Sequence, residues 1–404
     1  MKKICLVVVG LYLHLLHAFS QTAALDSSQY KNRKLTLSEI NFVHSYYNQD
    51  GDHSAVTGGI GTQELKDYAN SIELTLIKYD KYNRKNNLDI DLGVDYYTSA
   101  SSDKIDPYTI SSASGHDLHV YPSAVYTIDD EAKRKKIKYE LSLSAESDYL
   151  SIGFGGGFAK TSKDKSREFE AKAKIYLDHV KMILPIELRD STTGGLPNYN
   201  FHDYRWSRRN TFSTSFTLSQ IINQRLQVLF LLDPTYQHGF LSLPFHRIYF
   251  KDGAEAIEKL PNERYKLPIG VRANYFLGDK FIIRSYYRFY IDDWGLKAHT
   301  ADIETVIQFS PFFSISPFYR YYTQTAINWF APYAQHFENE QYYSSTYDLS
   351  AFHSHFFGSG VRIAPPNGLF KNRHLNMLEV RYGHYLRSDD FHSDVISLNL
   401  KWER

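Results

Sequence analysis

Beyond its N-terminal apolar run the chain has no cysteine, so a metal ion would have to rest on imidazoles and carboxylates. The residues with that chemistry are His116 and His119 in HDLH, His202 beside Asp203, and His353 with His355. Such groupings suit a Cu, Zn or Fe ion when no thiolate is available. The HDLH spacing speaks against simple convergence, because residues three apart in a strand face opposite sides and would meet only through loop geometry. The competing explanation is that surface loops and an interfacial belt are simply rich in His and Tyr. His116-Asp117 and His202-Asp203 also admit a surface hydrolase, although sequence neighbours need not have side chains that meet. No catalytic residue is identified.

A second constellation is charged. Arg272, Arg284, Arg288, Arg320 and Arg381 recur within strand-like stretches, as do Glu140, Glu304, Glu379, Asp89, Asp91 and Asp95. The stretch Lys280–Trp294 shows the pattern best. Phe281, Ile283, Tyr287, Phe289 and Ile291 fall on one side, and Arg284, Tyr286, Arg288 and Tyr290 on the other. Successive strand side chains alternate, so this is a strand with an apolar face and a cationic, hydroxyl-bearing face. That pairing suits a barrel wall between lipid and a polar lumen. An unpaired charge facing lipid costs about 2–4 kcal/mol at the midplane, which turns these residues inward. They form either a selectivity field for a charged solute or a salt-bridge network that fills the barrel.

The elements that position these residues can be read along all 404 residues. Residues 1–24 resemble a cleaved secretory signal, with Lys2 and Lys3, an apolar run and small residues after it. Cys5 lies at the start of the apolar run rather than at its end, which argues against lipidation. Residues 25–36 are read as an N-terminal periplasmic segment and 37–404 as the barrel. Charge is balanced, 46 Lys+Arg against 45 Asp+Glu, which excludes a typical nucleic-acid binder. Aromatic residues make up 16% of the chain, as girdles at two membrane interfaces would require. Mean hydropathy is −0.43, so helical spanning beyond the N-terminus is excluded.

Alternating segments begin at Leu37, Tyr68, Leu88, Leu118, Ile137, Leu150, Phe169, Asn210, Leu226, Leu267, Phe281, Lys297, Phe313, Ala351, Leu375 and Ser393. These predict an all-β, antiparallel outer-membrane barrel of about sixteen strands, within a range of about 14–18. With the last strand ending in the periplasm, the short connections at 83–86, 129–136, 162–166, 221–224, 278–279, 310–312 and 364–374 fall there. The long segments at 48–66, 101–114, 183–206, 238–265 and 326–348 fall outside. Outer-membrane barrels share this asymmetry. All but His374 of the histidines beyond the signal lie in outer loops or outer strand ends. The final strand turns Ile396, Leu398, Leu400 and Trp402 one way and resembles a barrel-assembly signal, although Glu403 and Arg404 follow the aromatic.

Several weaker features complete the reading. TGGIGT (57–62) and TTGG (192–195) suggest anion nests but lack the lysine and strand-to-helix setting of a phosphate loop. GFGGGF (153–158) predicts a bend or the close approach of another backbone. DDWG (292–295) reads as a hairpin turn only.

SAVTGGIGTQEL (54–65), GFLSLPFHRIYFKDG (239–253), LPIGVRANYFLGD (267–279) and YYRFYIDDWGLKAHT (286–300) together resemble domain-of-unknown-function family 3570. PFYRYYTQTA (317–326), YDLSAF (347–352) and EVRYGHY (379–385) carry the same resemblance. It implies a Gram-negative outer-membrane barrel and carries no activity over to any residue. The expected role is a porin-like channel or solute-uptake protein. The alternative is a metal-binding or envelope-assembly barrel closed by its loops at 239–253 and 326–348, and a surface hydrolase stands third. Expected partners are outer-membrane lipid, the barrel assembly machinery and a partner lipoprotein.

Overall fold

The computed structural model describes residues 34–98, 116–182, 185, 188 and 206–404. His202, Asp203, the TTGG stretch and the signal segment lie outside the described residues. The first strands are β1 (Thr36–Asp50), β2 (Leu65–Tyr79), β3 (Lys85–Thr98), β4 (His116–Asp130), β5 (Lys135–Ala145), β6 (Tyr149–Thr161), β7 (Arg167–Lys181) and β8 (Trp206–Asn223). There follow β9 (Leu226–Leu232), β10 (Thr235–Gly239) and a small hairpin of β11 (Arg247–Tyr249) and β12 (Glu255–Ile257). The second half is β13 (Glu263–Leu277), β14 (Phe281–Asp292), β15 (Lys297–Ser310), β16 (Phe313–Gln324), β17 (Phe352–Ile363), β18 (Leu375–Arg387) and β19 (His392–Glu403).

Each strand pairs antiparallel with its neighbour, and β19 pairs with β1 from Glu39↔Glu403 to Asp50↔His392, closing the sheet. The main sheet has 17 segments, and β9 and β10 are two halves of one strand, since both pair with β8 and β13. Seventeen less one leaves sixteen staves. The break at Asp233-Pro234 follows from proline's missing N–H, although Pro234 O still accepts from Thr214 N at 2.9 Å. A closed barrel leaves no strand edge and satisfies every backbone group internally, as a lipid setting demands.

The alternation assigns the two faces. Ile90, Leu141, Phe154, Ile175, Phe216, Phe230, Ile269, Ile303, Val380 and Ile396 are exposed on the outside, an apolar band of the kind that lipid covers. Consecutive residues therefore answer oppositely to one substitution. Phe216→Arg, facing out near the middle of β8, is expected to destabilise refolding into lipid vesicles by about 2–4 kcal/mol. Thr217→Arg, which faces inward opposite Glu170, is expected to cost far less. Equal urea midpoints for the two variants would contradict this assignment of faces.

The predicted strand order holds, and most predicted ends lengthen by a few residues. The largest change is β8, which runs to Asn223 and absorbs most of the predicted turn at 221–224, leaving Gln224 and Arg225 to make it. Its inward rows are serine and threonine, so its apolar periodicity is weak even though its pairing with β7 is continuous. The tight turns rest on local capping. In the β6–β7 turn, Asp164 accepts from the hydroxyls of Ser162 at 2.5 Å and Ser166 at 2.7 Å. Those hydroxyls and the Ser166 N–H hold its carboxyl at about 2. In GFGGGF, Gly153, Gly155 and Gly157 face inward. They admit side chains of neighbouring strands, Tyr176, Lys174 and Lys172, rather than the backbone the sequence suggested.

Candidate functional site

All eleven charged residues singled out above occupy inward rows; Asp89, Asp91 and Asp95 share β3, whereas Glu304 and Glu379 lie among the arginines of β14 to β18. The inward rows of β2 to β4 carry Asp67, Glu73, Asp89, Asp91, Asp95 and Asp117, with Lys85 at the turn end and His119 near the loops. Hydroxyls reach several of these carboxylates: Ser71 to Asp91 at 3.3 Å, Thr75 to Asp89 at 2.8 Å and Tyr121 to Asp95 at 2.8 Å. The inward rows of β13 and β14 carry Arg264, Lys266, Arg272, Arg284 and Arg288 against Asp292. Counting around the sixteen staves, β14 is eight strands from β3, so an acidic wall faces a basic wall across the lumen. Between them, β5 to β7 form a mixed ladder that includes Lys138–Glu170 at 2.5 Å and Lys136–Glu168 at 3.4 Å.

The basic side is not a bare field. Arg284 reaches Glu304 at 2.8 Å, and Arg381 reaches Glu304 at 2.7 Å and Glu379 at 3.1 Å. Arg320 pairs with Asp302 at 2.9 Å, and Arg272 lies over the Tyr286 ring at 5.4 Å. Both sequence readings of these charges thus have a place. The network runs from Arg264–Asp292 through β14 to β18, and Lys266, Arg272 and Arg288 stand on the wall opposite the carboxylates of β3.

Among the described residues the structure does not gather the histidines of β4 and β17 into one site. His116 and His119 fall on opposite faces of β4, and His116 and Asp117 likewise alternate. His119 faces inward, with Nε2 2.8 Å from Ser144 Oγ and Nδ1 3.6 Å from Asp95. His353 and His355 both face outward on β17 with ring centroids 5.8 Å apart. His355 Nδ1 hydrogen-bonds Tyr319 OH at 2.8 Å, and His299 Nδ1 bonds Tyr287 OH at the same distance. These are outward Tyr–His pairs near the loop end, which fits an interfacial belt. Asp117, which the sequence reading set beside His116, instead joins Glu146 and Asp148, with ligand atoms within 4.8 Å of one another at the loop end of β4 and β5. Tyr97 OH donates to Glu146 and Ser147 Oγ to Asp117 there.

Above the lumen three loops interlock: 51–64 between β1 and β2, 240–262 between β10 and β13, and 325–351 between β16 and β17. The first two arise eight staves apart, so they meet from opposite sides of the mouth. Arg247 Nη1 donates to Val56 O at 2.7 Å, and His53 stacks on Tyr347 at 3.7 Å with the rings 2° from parallel. In TGGIGT, Gly58 and Gly59 take φ of 79° and 92°. A Cβ on Gly58 would strike the Tyr249 ring at 2.6 Å, and one on Gly59 would strike Ser345 O at 2.8 Å. This glycine run is therefore a loop-packing device, a different role from the anion nest read from the sequence.

The second and third loops share a buried polar centre. Glu258, 3% exposed, accepts from Leu243 N at 3.1 Å, Ser344 Oγ at 2.5 Å and Thr346 Oγ1 at 2.9 Å. Burial pushes its carboxyl up. The His246 imidazole, whose Nδ1 lies 3.9 Å away, outweighs that together with the hydroxyl and N–H donors, and the group ends below its ordinary value. At that distance the effect of His246 is electrostatic. Lys259 and Tyr343 exchange backbone hydrogen bonds of 3.1 and 2.8 Å, and buried His336 bonds Glu340 at 2.6 Å and Ser344 O at 3.0 Å.

The DDWG hairpin does more than turn the chain. Asp292 accepts from Trp294 N, Leu296 N, Arg264 Nε and Tyr290 OH. Trp294, 3% exposed, sits with Leu260, Leu296, Ala298 and Ile327, against the inward-facing Tyr290 and Tyr322. The loops are thus seated on the lumen side of β14 to β16 as a lid with its own apolar core. A sequence signal for the lid existed in FHRIYF, where His246, Ile248 and Phe250 are all buried at period two inside a segment read as irregular.

Among solved structures the chain is similar to a BenF-like porin from Pseudomonas fluorescens Pf-5, at 9% identity over 93% of this chain and 100% of that one, TM-score 0.43. It is similar to OccK5 (OpdH) of Pseudomonas aeruginosa at 10% identity, over 92% and 98%, TM-score 0.43. A bacterial polysaccharide outer membrane secretin matches at 8%, over 90% and 98%, TM-score 0.44. No curated protein matches the sequence. The family model described as protein of unknown function (DUF3570) matches residues 124–390, well over half of the chain. The chain belongs to that family, as a closed sixteen-stave barrel whose mouth carries an interlocked lid.

Proposed function

We propose that this protein is an outer-membrane channel for small polar solutes, held shut at rest by its lid. The observation that carries the reading is the lid's geometry. Loops rooted on opposite staves join over a lumen whose walls are oppositely charged. A barrel that only anchored a partner would need no charged interior, since burying charge is costly unless it serves packing or passage. In this reading residues 1–24 are a secretory signal, 25–36 a periplasmic segment and 37–404 the barrel. The barrel assembly machinery inserts it, with the loop end facing out.

The test is single-channel conductance of the refolded protein in planar bilayers, beside a variant whose residues 244–257 are replaced by a short Gly-Ser linker. Rare or small openings of the intact barrel and steady conductance of the variant are expected. Silence of both would overturn the channel reading and favour an assembly role with a lipoprotein partner. Cu, Zn and Fe salts added to the same bilayers test the metal reading, and unchanged conductance is expected because the imidazoles are dispersed.

A further inference from the structure

Below the lid, in the wall formed by β15 to β19, lies a lumen-side recess of about 300 Å³, at the small end of ligand pockets. Its floor is aromatic. Phe318 and Phe356 lie with ring centroids 5.1 Å apart and planes tilted by 51°. Both rings rest on a glycine pair, Gly358 and Gly383, which face each other across β17 and β18. A Cβ on Gly383 would meet Phe356 Cζ at 2.5 Å, and one on Gly358 would meet Phe318 Cζ at 2.8 Å and Tyr382 O at 2.0 Å. No other residue type would let the phenyl groups lie down against the wall.

The polar rim is charged yet locally neutral. Arg284, Arg320 and Arg381 are matched by Asp302, Glu304 and Glu379 in the pairs described above. An anion entering the recess would have to displace a carboxylate from its arginine, and a cation the reverse. A neutral solute meets no such cost. Carboxylates with spare lone pairs accept from hydroxyl groups, and guanidinium N–H groups beyond those already engaged donate to them. The Arg320 side chain is about half exposed to the lumen and keeps such donors available.

From this juxtaposition we propose that the recess is a subsite for a neutral, polyhydroxylated ring, a pyranose sugar, whose apolar face lies on Phe318 and Phe356. Its hydroxyls bridge Arg320, Asp302, Arg381 and Glu304. This deepens the channel reading and rests on it for the route by which the sugar arrives, whereas occupancy of the recess is measured without transport.

The experiment is saturation-transfer NMR on the detergent-solubilised barrel, intact and with residues 244–257 replaced, using maltose, the open-chain polyol sorbitol and benzoate. Maltose is expected to bind at least tenfold more tightly than sorbitol or benzoate. Phe318→Ala and Phe356→Ala are each expected to weaken maltose at least tenfold, with heat-resistant gel migration confirming that the barrels remain folded. Glu304→Gln, which leaves a net positive rim, is expected to weaken maltose and admit benzoate. Absence of a maltose signal in both barrels would overturn the proposal. So would benzoate binding as tightly as maltose in the unsubstituted rim, or maltose binding that ignores both phenylalanine changes. The bilayer measurement judges the channel independently, so a conducting barrel without a maltose signal discards the subsite and keeps the channel.

Discussion

Glu258→Ala is expected to release the lid while leaving the barrel folded. The carboxylate holds together segments nearly ninety residues apart, and its removal strands the buried Ser344 hydroxyl, the Thr346 hydroxyl and the Leu243 N–H beside His246. Breaking such a buried, hydrogen-bonded pair costs about 3–5 kcal/mol. At about 1.4 kcal/mol per decade this is roughly two to three and a half orders of magnitude in local opening. Amide exchange in 243–258 and 336–346 is expected to accelerate accordingly, while β1 to β8 keep their protection. Openings in bilayers are expected to become frequent. Unchanged exchange in those two segments would show that Glu258 does not hold the lid.

The same carboxylate gives the lid an acid limit. Its folded pKa lies below the ordinary value of about 4.3, so its contribution is fully present above that pH. It disappears as pH falls through the lower folded value. At neutral pH the lid is closed by this group, and acid releases it. Glu258→Gln is expected to flatten the dependence, since glutamine does not titrate.

The second large effect concerns the charged walls. Changing Asp89, Asp91 and Asp95 together to Asn removes three carboxylates from the wall opposite β14. A unit charge acts on an ion about 10 Å away in water with roughly 0.4 kcal/mol, so three amount to about 1.2 kcal/mol before screening. With a Debye length of about 10 Å at 0.1 M salt, about twofold remains for each ion and in opposite directions, so the anion-to-cation permeability ratio changes about fivefold, rising to about twentyfold at 0.01 M. Reversal potentials of the lid-replaced barrel under a salt gradient measure this. A shift that does not grow on dilution would show that the wall lies outside the ion path.

Much of this molecule follows from its alternation alone. Phe281, Ile283, Tyr287 and Phe289 against Arg284, Tyr286 and Arg288 fix which face meets lipid, because a strand offers only two faces and a charge in lipid is too costly. From that rule came the sixteen staves, their order and the inward placement of all eleven charged residues. Local sequence could not say which charges neutralise one another. Arg381 meets Glu304 across 77 residues because closure and register place β15 and β18 on one wall, a matter of the whole sheet. Closure by the loops at 239–253 and 326–348 was one of the sequence readings, but the contacts that interlock them were equally out of reach. These loops lack a sustained period, and Arg247 finds Val56 across 191 residues only because sixteen staves bend the chain back on itself. The histidines show the same limit. Their residue types suggested metal, but the two-residue period puts His116 and His119 on opposite faces of β4 and His353 with His355 on the outer face of β17, a placement decided by the strands rather than by the imidazoles.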